Sequence, residues 1–271
     1  MPKRAYRVAY DGRPFHGFQR QPDVPTVEDA LFDALRDADV LDLGASKPAG
    51  YAAAGRTDAG VFALAQTVAF DAPGWLTPRA FSGLLSADVR VWASADVPDG
   101  FHATHDAESR AYEYHLYAPG ADLDLARAAA DRLVGTHDFA DLTAATDGST
   151  RRRLSSATVE RDGDFLVMSV RAEGFLWELV RRLVTLVRAV ATGSVPVERV
   201  DRACSPGSLD DHEIPPPAPP GGLVFVDAVY PGVTFVPDDR AVESVREVFG
   251  DRAVEASTRG RVCRTVADRV G

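Results

Sequence analysis

The chain has 271 residues, 45% hydrophobic and 26% charged, which excludes a wholly disordered polymer and allows one large domain or two small ones. Two cysteines, Cys204 and Cys263, exclude both a disulfide framework and a zinc site built on cysteine. Forty acids (29 Asp, 11 Glu) against 30 bases (28 Arg, 2 Lys) leave a net charge of −10.

In chain order, residues 5–10 (AYRVAY) read as a strand running into the turn Asp11-Gly12. Thr26 is the expected N-cap of a helix that carries Val27, Ala30, Leu31, Ala34 and Leu35 at helical spacing. Strand-like stretches at 49–54 and 62–70 flank a polar loop, GRTDAG at 55–60. A helix over 77–85 and a strand over 88–95 follow. The mixture then repeats: a strand at 111–117, a helix at 123–134 and a hairpin over 155–172. The spacing next predicts a helix over 176–192 that stops at Gly193. PPPAPP at 215–220 is a stiff connector into a buried strand at 223–230. Beyond Pro231, an amphipathic helix over 238–249 and an arginine-bearing segment over 259–269 are expected. Helices and hairpins alternating irregularly favour α+β over a doubly wound sheet. The expected organisation is 1–100, 101–232 and a C-terminal extension, 233–271, without an assigned role.

The opening residues, MPKRAYRVAYDG, contain no apolar segment of a secretory signal, and no apolar run reaches membrane-spanning length. A cytoplasmic protein without membrane attachment is expected. Acidity ordinarily argues against a nucleic-acid partner. An Asp-rich, Lys-poor surface also suits concentrated salt, where the Debye length falls to about 3 Å at 1 M and self-repulsion fades. The charge is read here as that of a halophilic protein, so it does not decide the ligand.

The loop at 55–60 has two chemical readings. No Lys-Ser/Thr follows its second glycine, so it is a poor phosphate loop. It is either a hairpin turn in which Thr57 and Asp58 bond the local backbone, or a rigid mount for Asp58 as a nucleophile or base, with Arg56 nearby. His102 and His105 lack a third ligand for a metal and are read as packing or hydrogen-bonding groups. Arg151, Arg152 and Arg153 are either phosphate contacts or a solvated loop.

The segment 55–70, GRTDAGVFALAQTVAF, resembles the catalytic motif of the tRNA pseudouridine synthase A (TruA) family. Further blocks match that family in order: Tyr10-Asp11-Gly12, FHGFQRQ at 15–21, Thr26-Val27-Glu28, Phe101-His102-Ala103 and Arg110-x-Tyr112-x-Tyr114. The rest are Gly135-x-His137-Asp138-Phe139, GFLW at 174–177 with Val180-Arg181-Arg182, Gly222-Leu223 and Tyr230-Pro231. They span roughly residues 5–231. Phe62 departs from the pattern, standing where many family members have His, and the stretch 80–86 lacks the usual Asn and Pro.

The resemblance implies a pseudouridine synthase fold of two similar mixed halves, with largely antiparallel sheets flanking a central RNA-binding cleft. It implies a homodimer that isomerises uridine to pseudouridine at positions 38, 39 and/or 40 of the tRNA anticodon stem-loop, using neither metal nor organic cofactor. Asp58 would be the nucleophile and Arg181 its partner, an arginine supplying charge without an exchangeable proton. Tyr112 would stack on the target base, and Arg56 would help hold the nucleotide outside its stack. Arg20 is a further substrate-binding candidate. Glu178 and Arg182, four apart on one helix, read as a structural pair. Two alternatives differ in kind. One is a synthase acting on another RNA. The other is a non-catalytic RNA-binding protein, against which the combination of Asp58, Tyr112 and Arg181 argues.

Overall fold

A computed structural model describes residues 1–143 and 148–270. Strand β1 (Lys3–Tyr10) is buried along nearly its whole length. It is sandwiched, antiparallel to each, between β3 (Phe62–Asp71) and β4 (Val89–Asp96). The short strand β2 (Ala52–Ala53) pairs with β3, so the expected strand at 49–54 contracts to two residues. Its neighbours Pro48 and Tyr51 instead close a turn.

Strand β5 (Ser109–Tyr117) lies between β8 (Phe165–Ala172) and β9 (Leu223–Val229). β7 (Arg151–Asp162) pairs with β8 and with β6 (Gly135–Asp138). β9 also lies parallel to β3 at Phe62 and Ala63, the one parallel pairing among the described residues. With β10 (Val236–Pro237) on the free edge of β4, one sheet runs β10-β4-β1-β3-β9-β5-β8-β7-β6. The architecture is the expected α+β arrangement with a mostly antiparallel sheet. β9 joins β3 to β5 in the middle of the sheet, and β10 adds a second link between the two parts of the chain at its edge.

The helices follow from local chemistry. Helix α1 (Val27–Asp37) starts at Thr26, whose side chain accepts from the Asp29 amide while Asp29 bonds back to the Thr26 amide. Thr77 caps α2 (Pro78–Gly83), and Asp122 caps α3 (Leu123–Asp131). α3 buries Ala126, Ala129 and Ala130 against α4 (Leu179–Ala191) and β7. α4 begins three residues later than its apolar spacing suggests, because Glu178 takes φ 59° and breaks the pattern. Leu176 is buried without being helical. The short helix α5 (Arg199–Ala203) follows.

The expected C-terminal helix and arginine segment are a single helix, α6 (Asp239–Arg269), continuous through Gly250 and Gly260. It packs on β4 and α2. Arg252 anchors it, bonding Asp11 Oδ2 at 2.8 Å and Asp88 Oδ1 at 2.6 Å. Residues 253–269 are exposed. Among the described residues no helix is long and apolar enough to cross a membrane.

The end of β1 supports the loop at 55–60. Gly12 accepts from the Gly60 amide at 3.1 Å, and a Cβ on Gly12 would stand 2.0 Å from the Val61 carbonyl oxygen. That oxygen is backbone and has nowhere to go. Gly12→Ala is therefore expected to destabilise the fold by about 3 kcal/mol, read as a lower urea midpoint at unchanged slope.

Candidate active site

The loop at 55–60 is held from several directions at once. Gln66, fully buried, donates from Nε2 to the Gly55 carbonyl at 2.8 Å. The Thr57 hydroxyl meets Tyr10 Oη at 2.7 Å, and the Thr57 carbonyl accepts from the Phe18 amide at 3.0 Å. The Val61 amide bonds the Asp58 carbonyl at 3.2 Å and closes the turn. With its backbone so occupied, the loop is a rigid mount.

The Asp58 side chain turns away from the local backbone and crosses the cleft. Its Oδ2 accepts from Arg181 at 3.0 Å and its Oδ1 from Trp177 Nε1 at 3.1 Å. An ordinary turn aspartate would bond its own backbone with this carboxylate, which here reaches across the cleft instead. The carboxylate side chain keeps 28% of its exposure, whereas that of Arg181 keeps 12%. Arg181 is itself fixed, donating from Nε to the Ala218 carbonyl at 2.6 Å and from the same Nη1 to Glu178 at 3.3 Å. Glu178 also binds Arg182 at 3.2 Å, the expected structural pair.

Tyr112, on β5, is buried with its ring stacked on Phe225 (centroids 4.9 Å apart) and edge-on to Phe175 (5.2 Å). Burial drives its phenol well above the usual tyrosine range, Arg110 opposing this and Asp58 adding to it. Among the described residues its hydroxyl has no hydrogen-bond partner. Two residues earlier, buried Arg110 bonds three carbonyls: Ala54 at 2.8 Å, Glu173 at 2.5 Å and Thr104 at 2.5 Å. One guanidinium thereby ties the strand of Tyr112 to the loop of Asp58, to the segment leading to Trp177 and to the loop after His102.

Asp58, Arg110, Tyr112, Trp177 and Arg181 line one cavity of about 930 Å³. Its charged lining is Arg20, Lys47, Arg56, Arg110 and Arg181 against Glu28, Asp58 and Glu178. A cationic surplus thus gathers in the cleft of a chain whose net charge is −10. Such a concavity focuses an attractive field on an anionic ligand despite the global charge.

The structure brings Asp58, Arg181, Tyr112, Arg56 and Arg20 to this one cavity. Arg56 is exposed at its mouth. Arg20 is engaged by Asp29 at 2.7 Å and by the Ser46 carbonyl at 2.9 Å, with its guanidinium 5.7 Å from the Phe32 ring centroid. The His102 and His105 rings lie 4.2 Å apart at a 35° tilt, and His102 Nδ1 accepts from the Thr104 amide. Arg151, Arg152 and Arg153 lie on β7, paired with β6, rather than on a loop. Phe62 sits 5.5 Å beneath the Arg13 guanidinium. Two residues of this site carried only a motif match in the sequence, namely Trp177 and Arg110. The aromatic four residues before Arg181 was the available signal for the first.

A family profile described as tRNA pseudouridine synthase matches residues 129–231. With relatives of that name more than half identical over nearly the whole chain, this defines an isomerase of the pseudouridine synthase class. The chain is 53% identical to the tRNA pseudouridine synthase A of Haloarcula marismortui, over 98% of its own length and 99% of the relative's. It is 52% identical to that of Halobacterium salinarum over 98% and 99% of the two chains. For Natronomonas pharaonis the figures are 54% over 96% and 97%. The chain belongs to the tRNA pseudouridine synthase A family.

Proposed function

We propose that this enzyme converts uridine to pseudouridine in the tRNA anticodon stem-loop, at positions 38, 39 and/or 40, with Asp58 as nucleophile. The observation that carries this reading is the Asp58 carboxylate, held 3.0 Å from Arg181 across a cation-lined cleft and not bonded to its own loop. The reaction breaks the N1–C1′ bond, joins C5 to C1′ and moves a proton from C5 to N1, so nothing is gained or lost overall. The base must leave its stack, turn and rejoin without escaping. That calls for a closed pocket and a displaced nucleotide, at a few kcal/mol of unstacking.

Asp58 attacks the displaced nucleotide while Arg181 steadies its charge. Arg56, at the cavity mouth, holds the phosphate of the extruded nucleotide. Tyr112 contacts the base within its aromatic triad. Its phenol, neutral at ordinary pH like any tyrosine's and more so for its burial, is the group assigned to relay a proton. Tyr112→Phe should bind tRNA like the wild type, yet stall part-way through isomerisation in single-turnover assays. A homodimer belongs to the same reading and is measured by sedimentation equilibrium. Transcripts carrying a single uridine at 38, 39 or 40 test the positions: modification of none of them refutes the assignment.

The acidic surface and the Haloarcula, Halobacterium and Natronomonas relatives support adaptation to concentrated salt. Counterion release contributes little there, so affinity rests on shape, stacking and a few Arg–phosphate pairs. The slope of log affinity against log salt should be shallow. A slope of about ten in magnitude, as for some repressors, would contradict this.

A further inference from the structure

The steps above leave Trp177 unused, although it stands closest to the nucleophile after Arg181. Its side chain lines the cavity and is 58% exposed, a large apolar surface left open to solvent. Its indole donates to Asp58 Oδ1 at 3.1 Å, while Arg181 holds Oδ2 at 3.0 Å. A nucleotide approaching the carboxylate therefore finds both oxygens engaged. The two partners are not equally fixed. Arg181 is largely buried and also bound to Ala218 and Glu178, whereas among the described residues the indole N–H has only Asp58. The backbone after Trp177 is set by Glu178, whose carboxylate binds Arg181 and Arg182. Turning the indole aside therefore needs only side-chain rotation and the loss of one hydrogen bond.

We propose that Trp177 is a nucleobase-contacting residue that caps Asp58 and turns aside when RNA enters, stacking on a base beside the displaced nucleotide. Every base has a π-face, so such a contact strengthens binding without demanding a sequence. It also keeps its value in salt, where phosphate contacts weaken. The inference rests on the reading that RNA occupies this cleft.

The test compares wild type, Trp177→Phe and Trp177→Ala for tRNA affinity, single-turnover isomerisation and intrinsic fluorescence, with circular dichroism confirming the fold. Trp177→Ala should bind tRNA about tenfold more weakly, within the range of a lost base stack. Trp177→Phe, which keeps a ring but not the N–H, should recover most of that affinity. The fluorescence change on adding tRNA to wild type should largely vanish in Trp177→Phe. A Trp177→Ala protein that isomerises tRNA and binds it within twofold of wild type overturns the assignment and leaves the functional reading standing. So does a fluorescence change that persists undiminished in Trp177→Phe. A wild-type protein that neither binds nor modifies tRNA overturns both.

Discussion

Asp58→Asn is expected to abolish turnover while leaving the fold and tRNA binding intact. The amide keeps the size of the carboxylate, but only its one oxygen accepts, so it keeps either Arg181 or Trp177 as a donor and loses the other, and it carries no charge and is no nucleophile. Single-turnover pseudouridine formation should fall by about four to six orders of magnitude, equivalent to about 5–8 kcal/mol of barrier. Affinity should hold or rise, because a carboxylate near phosphates repels them and an amide does not. The loop is anchored through Gln66, Tyr10, Phe18 and Gly12, none of which touches the Asp58 side chain, so unfolding is not expected. A folded variant that isomerises near the wild-type rate removes Asp58 from the mechanism.

The second large effect is expected at Arg110, through stability and geometry together. Arg110→Met keeps the bulk but strips the partners from the carbonyls of Ala54, Thr104 and Glu173. A hydrogen bond to a charged group contributes about 1.5–3 kcal/mol, and cleft water can reach some of the freed oxygens. The net loss should be about 3–5 kcal/mol by urea unfolding. Because the three carbonyls belong to the segments that carry Asp58, Trp177 and His102, kcat should fall more than affinity. A variant with wild-type kcat and a loss below about 1 kcal/mol would show that the strands alone position the site.

Most of the framework was legible because its causes are local. Thr26 announces α1 through a capping box contained within four residues, and AYRVAY is a mostly apolar run that ends in a turn. Asp58 was legible as a candidate through a motif dense enough to recognise. What the motif lacked was direction. The Trp177–Asp58 bond joins residues 119 apart, and Arg110 acts on carbonyls whose positions exist only after folding. β6 was not legible because Gly-Thr-His-Asp has no alternation of its own and becomes a strand by pairing with Arg151–Leu154 of β7. Gly250 reads as a helix stop, yet α6 runs through it: a helical glycine costs about 1 kcal/mol, and good helix formers on both sides absorb this. The start of α4 was misplaced for the opposite reason. Leu176 has the apolar spacing of the helix, but its burial comes from the turn that presents Trp177 to the cleft.

The most direct measurement is a pseudouridine map of tRNA from cells with and without this protein. Loss of pseudouridine at one or more of positions 38, 39 and 40, restored by the wild-type chain but not by Asp58→Asn, is the predicted result. An anticodon stem-loop whose pseudouridines are unchanged when the protein is absent would contradict the account.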